Sequence, residues 1–178
     1  MEILLRPVST LAPSLISDLI SDLDAISPWS FTLGPPIQNL NHAYLPDRGQ
    51  FDADGILVHL LNEINDQGKV IGLIDVDLCT PVLSFVFGRA QLGGRVAVVS
   101  TFRLDNRFYR LKPDPGLLIE RLKKEIIHEA GHLGGLYHCR NRWCVMNASA
   151  SIVNIDLKGF KFCPACLNYL KERGNNGP

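Results

Sequence analysis

The sequence predicts an α+β domain in which helices pack against a mixed β-sheet. The chain has 178 residues, of which 46% are hydrophobic and 20% charged, and this is enough to bury one core. Its apolar patterns follow the order strand, helix, strand, helix, three strands, helix, which is not the regular alternation of a doubly wound fold. Four of the five cysteines then fall in the last 40 residues. This uneven distribution is unlike a disulfide framework spread through a secreted domain.

The predicted elements follow from the spacing of apolar residues and from residues that begin or end helices. Strand-like runs occur at 2–8, 29–33, 69–78, 81–87 and 95–104, and helical spacing occurs at 11–26, 56–64 and 115–135. Asp52 or Asp54 is expected to cap the second helix and Gly68 to end it. Asp114 followed by Pro115 marks the start of the third. Residues 34–50 are proline-rich and are expected to form a surface loop.

Composition argues against several classes of protein. The 18 basic and 18 acidic residues balance, so the net charge gives no general attraction to nucleic acid or to a membrane surface. Residues 1–88 are acidic and the remainder basic, which we interpret as two halves that attract each other. No apolar run approaches the roughly 18 residues of a membrane span, and no signal peptide is visible. We therefore expect a cytoplasmic monomer with neither a nucleic-acid nor a membrane partner.

A histidine motif predicts a metal site. His128 and His132 are four residues apart on a predicted helix, so they lie only about 40° apart around the helix axis and project side by side. Two imidazoles in this arrangement bind one zinc ion. Glu129 leaves the helix about 100° from His128, beside the metal, where a general base would lie. Taken alone, the five-residue motif also occurs by chance, as a pair of surface or core histidines.

The third ligand that a catalytic zinc needs is expected to be His138. On an unbroken helix His138 would lie about 240° further round than His132. We therefore expect the helix to end at Gly134 or Gly135, because glycine readily adopts the left-handed conformation that ends helices. The chain then turns back and brings His138 to the metal.

Four cysteines predict a second metal site. Cys139 and Cys144 form one pair, and Cys163 and Cys166 form another in a Cys-Pro-Ala-Cys turn. Two such pairs match a four-thiolate zinc site, which has no open position and is therefore structural. The alternatives are two disulfides or four free thiols. For Cys79, a buried structural thiol is favoured over a thiol that masks the catalytic zinc.

Together these motifs resemble those of a known enzyme family. The run HEAGHLGGLYHC, then Cys144-Val145-Met146, then Cys163-Pro164-Ala165-Cys166 is similar to the archaemetzincins, a family in the metzincin clan of zinc metallopeptidases. The segment FVFGRAQLGGRVAVVSTFRL at 85–104 resembles the family more loosely.

The resemblance implies two zinc ions per chain and a role for each motif residue. The implied ligands are His128, His132 and His138 for a catalytic ion and Cys139, Cys144, Cys163 and Cys166 for a structural one. Glu129 is the implied general base, Gly135 the turn residue, and Met146 the methionine that packs beneath the zinc in the Met-turn. Because His138 adjoins Cys139, we also expect the structural zinc to hold His138 and Met146 in position.

The resemblance further implies a zincin-like (metzincin) fold with a mixed, mostly parallel, twisted sheet. We expect a single metallopeptidase domain over 1–178. Its parts are 1–135, which contains the active-site helix at about 115–135, and a small zinc-stabilised subdomain over 136–178. An edge strand above the cleft would bind an extended peptide, and 82–87 is the candidate strand.

Two functions are compatible with these residues. The first is a zinc-dependent peptidase that acts on a peptide or protein substrate. The second is a zinc-stabilised peptide-binding or regulatory module with little or no turnover.

Overall fold

The computed structural model describes residues 1–8, 13–64 and 68–175. Within these ranges the strands are β1 (Glu2–Pro7), β2 (Ser30–Leu33), β3 (Tyr44–Leu45), β4 (Gln50–Asp52), β5 (Lys69–Ile74), β6 (Leu78–Cys79), β7 (Gly88–Ala90) and β8 (Val96–Ser100). The helices are α1 (Pro13–Ile26), α2 (Ala53–Glu63), α3 (Pro115–Leu133), α4 (Ile152–Leu157) and α5 (Pro164–Asn175). Short 3₁₀ helices span Leu40–Ala43 and Asn106–Tyr109. The predicted start of the first helix, at Leu11, lies outside the described residues.

Five strands form the main sheet, in the order β2-β1-β5-β8-β7. Neighbouring strands are parallel except at the edge, where β7 runs antiparallel to β8. Every residue of β8 is buried. Ala97 and Val99 pack with side chains of α3, and Val96 and Val98 pack with side chains of α2 on the opposite face. This mixed, mostly parallel sheet between helices confirms the predicted α+β class.

The strand predicted at 81–87 is wrong. These residues form bends and one isolated bridge, and the edge strand is β7, which lies directly after them. The guanidinium of Arg48 donates hydrogen bonds to three backbone carbonyls between residues 80 and 84. The Arg48 side chain therefore occupies carbonyl oxygens that would otherwise accept hydrogen bonds from a neighbouring strand. Val82, which lies within the predicted strand, is 89% exposed.

The predicted loop 34–50 contains more regular structure than expected. It includes a 3₁₀ helix and β3, and β4 begins at its last residue. β3, β4 and β6 form a second, three-stranded sheet. The predicted strand 69–78 is consequently divided, because β5 stays in the main sheet whereas β6 pairs with β4.

Capping residues define where the two principal helices begin. The Asp52 side chain accepts a hydrogen bond from the Asp54 N–H and caps α2, which ends at Glu63, before the predicted stop at Gly68. The Asp114 side chain accepts from the Leu117 N–H at 3.0 Å and caps α3, whose first residue is a proline.

The C-terminal region shares the core of the main sheet. Leu136, Val145, Met146, Ile155 and Phe162 pack in the same buried cluster as the apolar face of α3. The division at residues 135 and 136 into two subdomains remains a proposal. No helix in the described part of the chain is long and apolar enough to cross a membrane.

Candidate metal centres and active-site cleft

Helix α3 presents the first two histidines of the predicted site on one face. His128 and His132 bring their Nε2 atoms to 3.2 Å from each other. The Nδ1 of His128 is 2.8 Å from the carbonyl oxygen of Val145, and that of His132 is 2.7 Å from the carbonyl oxygen of Leu136. Because a carbonyl only accepts, each Nδ1 carries the proton and donates it, and each Nε2 keeps its lone pair free.

The predicted turn brings in the third histidine. Helix α3 ends at Leu133, and Gly135 adopts the left-handed conformation at φ 89°. The chain reverses there, and the ligand atoms of His128, His132 and His138 all lie within 4.8 Å of one another. The turn expected from the Gly134-Gly135 pair is therefore present.

This donor set fits a zinc ion. In a tetrahedral site with Zn–N bonds of ~2.0–2.1 Å, two nitrogens are separated by about 3.3–3.4 Å, close to the observed 3.2 Å. Burial lowers the pKa of His128 well below its usual range, and the charges of Lys158 and His132 lower it further. Burial is also the main cause of the lowered pKa values of His132 and His138. The imidazoles are therefore held neutral, which is the form that binds metals.

Glu129 lies buried beside the histidines. It is 4% exposed, and burial followed by the neighbouring charge of Glu125 raises the pKa of its carboxyl group well above the usual range. Its Oε2 is buried without a hydrogen-bond partner among the described residues. A Cβ at Gly88, the first residue of β7, would lie 2.6 Å from the Glu129 Oε1. The edge strand and the carboxylate therefore touch at a position that requires glycine.

Met146 lies beneath the histidines. It is fully buried, and a Cβ at Gly131 would overlap its sulfur. Gly131 lies between His128 and His132 on α3, so the methionine packs against the helix at the level of the two imidazoles. The Cys139 N–H donates to the Met146 carbonyl oxygen at 2.8 Å and ties this turn to the chain after His138.

The four cysteines form a second cluster. The Sγ atoms of Cys139 and Cys163 are 3.7 Å apart, and those of Cys144 and Cys166 are 3.8 Å apart. A tetrahedron with Zn–S bonds of ~2.3 Å has edges of about 3.8 Å, whereas a disulfide bond is about 2.05 Å long. The four thiols are free, so the disulfide alternative does not hold here.

Backbone N–H groups donate hydrogen bonds to the cysteine sulfurs. The Cys163 N–H donates to the Cys144 sulfur at 3.3 Å, and the Asn141 N–H donates to the Cys139 sulfur at 3.4 Å. The backbone N–H of Cys166, in the first turn of α5, lowers the pKa of Cys163 to about 7. Burial raises the pKa values of Cys144 and Cys166, so these two sulfurs would need the charge of a bound metal ion to ionise.

The histidines open into a cleft with a volume of about 560 Å³. Its walls are residues 83–90, Leu92, Tyr137 and residues 148–150, and Glu125 joins the site residues in lining it. Arg48 and Gln50 anchor the 83–84 part of the wall through its carbonyl oxygens. Apolar side chains predominate on these walls. Cys79 is fully buried in β6, outside both clusters.

Two charged residues at the site were not predicted from the sequence. Glu125 and Lys158 form an ion pair of 2.8 Å, with side-chain exposures of only 4% and 1%. Glu125 precedes His128 by three residues and Glu129 by four, so helical spacing could have identified it. Lys158 lies 30 residues beyond His128, and no local pattern signals its contact.

Comparison with known proteins identifies the family. The family model described as Peptidase family M54 matches residues 36–172. The archaemetzincin of Methanocaldococcus jannaschii is 42% identical over 140 residues, which cover 79% of this chain and 76% of that protein. This chain belongs to the archaemetzincins, peptidase family M54. It is therefore a zinc metallopeptidase, as the motifs predict.

Solved structures agree with this membership. The crystal structure of archaemetzincin from Methanopyrus kandleri matches with a TM-score of 0.85 and 35% identity, and covers 98% of this chain and 96% of that one. A zinc-dependent peptidase from Methanocorpusculum labreanum matches with a TM-score of 0.84 and 30% identity, and covers 94% and 99%. The zincin-like fold implied by the motifs is thus the fold of these relatives.

Proposed function

We propose that the three-histidine site hydrolyses peptide bonds in extended peptides, with His128, His132 and His138 as zinc ligands and Glu129 as the general base. The observation that carries the proposal is the convergence of three imidazole donors beside one buried, unpartnered carboxylate in a single cleft. A zinc ion on these donors supplies a Lewis acid that polarises the peptide carbonyl and acidifies water.

Glu129 performs the proton transfers. Burial makes its ionised form a stronger base than an exposed carboxylate, the charge of a zinc ion beside it would favour that form, and its unpartnered Oε2 is free to accept. Glu129 takes a proton from the attacking water and delivers it to the nitrogen of the leaving amine. Burial of the carboxylate keeps bulk water from competing for this proton.

The substrate lies along β7. This strand is at the edge of the sheet, and its outer side has no neighbour among the described strands. An extended peptide adds there as a further strand, through backbone hydrogen bonds that do not depend on sequence. The apolar walls formed by Leu83, Phe85 and Phe87 favour apolar side chains on the substrate.

The four cysteines hold a second, structural zinc, which makes two ions per chain. The mutual distances of their sulfurs and the N–H donors to them support this assignment. Metal analysis by mass spectrometry with and without a cysteine-blocking reagent tests it. We expect two zincs per chain without the reagent and at most one with it, because the histidine site depends on the cysteine site, and an unchanged count would contradict the assignment.

A comparison of variants on a broad peptide library tests the reaction. Glu129→Ala is expected to abolish cleavage while the zinc content stays at the wild-type level. The matched control is Glu120→Ala, which removes an exposed carboxylate from the same helix and should leave turnover unchanged. Peptide binding without cleavage by both the wild type and Glu129→Ala would instead support a binding module.

A further inference from the structure

Lys158 is a buried charge for which the proposed reaction has no use. Its side chain is 1% exposed, and it follows directly after α4, in the region of the four cysteines. Its ammonium group lies 2.8 Å from the Glu125 carboxylate, 3.4 Å from the Asn147 carbonyl oxygen and 3.5 Å from the His128 Nδ1. It therefore contacts α3 and the Met-turn at the same time.

A buried ion pair of this kind is poorly explained by stability alone. Desolvation of two charges cancels most of their attraction, so apolar residues of similar volume stabilise a fold equally well. The pair lies where position matters, because Glu125 is one helical turn before both His128 and Glu129. Two buried carboxylates on this face would repel each other, and the ammonium group of Lys158 offsets that repulsion.

The backbone of Lys158 is held by the cysteine region. The N–H of Gly159 donates to the Trp143 carbonyl oxygen, and the Val145 N–H donates to the Lys161 carbonyl oxygen. Trp143 and Val145 flank Cys144, so the segment that carries Lys158 is tied to the four-cysteine cluster. A continuous set of contacts thus runs from that cluster, through Lys158 and Glu125, to helix α3, which carries the zinc ligand His128.

We propose that Lys158 is a positioning residue, which fixes the Met-turn and helix α3 relative to each other and so holds His128 in its ligand geometry. The proposal rests on the proposed function, in which His128 binds zinc. Residues that orient metal ligands typically change metal affinity or activity by about 10–100-fold when they are altered. A residue that serves only the fold would change thermal stability without this loss.

Two variants separate these roles. Lys158→Met leaves Glu125 buried and unpaired, so it is expected to melt at a much lower temperature or to fail to fold. Glu125→Gln combined with Lys158→Met removes both charges. Without metal, this double variant should melt at nearly the same temperature as the wild type without metal. The double variant should nevertheless bind metal at the three-histidine site about 10–100-fold more weakly, with a reduced kcat and little change in KM.

Cobalt(II) competition with a chelator measures this affinity. Thiolate-bound cobalt has its own charge-transfer absorption, so the cysteine site is followed separately from the histidine site. The control is Lys124→Met, which removes another buried ammonium group of α3 that binds the carbonyl oxygens of Ile155 and Asp156 but does not reach the histidines. This control should lower the melting temperature and leave cobalt affinity unchanged.

Two results would overturn the proposal. Wild-type affinity and kcat in the double variant would mean that Lys158 only balances the charge of Glu125. An equal loss of affinity in Lys124→Met would mean that general docking of α3 and α4 controls the site. The affinity comparison uses no peptide, so it still decides the role of Lys158 if the wild type binds metal but cleaves nothing.

Discussion

The contact between Gly88 and Glu129 gives a direct test of the placement of the general base. In Gly88→Ala the new Cβ would lie 2.6 Å from the Glu129 Oε1, whereas ordinary contacts begin at 3.4 Å. The carboxylate, at the end of a flexible side chain, must therefore move by about 0.8 Å, and β7 must also shift because the new Cβ would lie 2.9 Å from the backbone carbonyl oxygen of Val98. A displacement of about 1 Å in a catalytic group can reduce the rate by about 100-fold, or about 2.7 kcal/mol in the activation barrier.

Steady-state cleavage of a fluorogenic peptide and the zinc content measure this effect. We expect kcat/KM to fall by about 10- to 100-fold while zinc stays bound, because the alanine touches no histidine. Gly116→Ala is the control, since its Cβ would meet nothing closer than 3.5 Å, and it should leave activity unchanged. A Gly88→Ala enzyme that folds and cleaves within twofold of the wild type would refute the assignment of Glu129.

Three further substitutions test the surroundings of the site. In Gly131→Ala the new Cβ would overlap the sulfur of Met146, which should introduce overpacking strain of about 1–3 kcal/mol. We expect a lower melting temperature together with weaker zinc binding at the histidines. Unchanged zinc binding would count against a supporting role for the methionine. Cys163→Ser should lower the melting temperature and the zinc occupancy of the histidine site together, and full occupancy would disprove the coupling. Arg48→Met removes the donor to two carbonyls of the cleft wall, those of Leu83 and Ser84, and should raise KM more than it lowers kcat. The reverse would show that this wall does not bind substrate.

Helix α3 shows what could be predicted from local patterns. The capping aspartate Asp114, the spacing of His128 and His132, and the turn at Gly135 all act within a few residues, and the structure contains each of them. The cluster of four cysteines was predictable for the same reason, since the spacing within each of the two short pairs is typical of zinc ligands. The family resemblance added the mostly parallel sheet, which spacing alone did not provide.

The edge strand could not be predicted in the same way. Residues 81–87 have a strand-like pattern, but Arg48, more than thirty residues earlier, donates hydrogen bonds to two of their carbonyl oxygens, those of Leu83 and Ser84. The strand that pairs with β8 is instead the short segment Gly88–Ala90, whose glycine and arginine give little β signal. Contacts between distant segments, and not β-propensity, thus determine which segment forms the edge strand.

The sequence by itself determined the two candidate sets of metal ligands, because helix periodicity, a glycine turn and paired cysteines are local properties of the chain. The tertiary structure decided which backbone lines the cleft and which charge lies behind His128. Gly88 meets Glu129, and Lys158 meets Glu125, only after the sheet, helix α3 and the C-terminal region have packed together. Contacts of this kind join residues that are far apart in sequence, so they form only where the packing of the whole core brings those residues together.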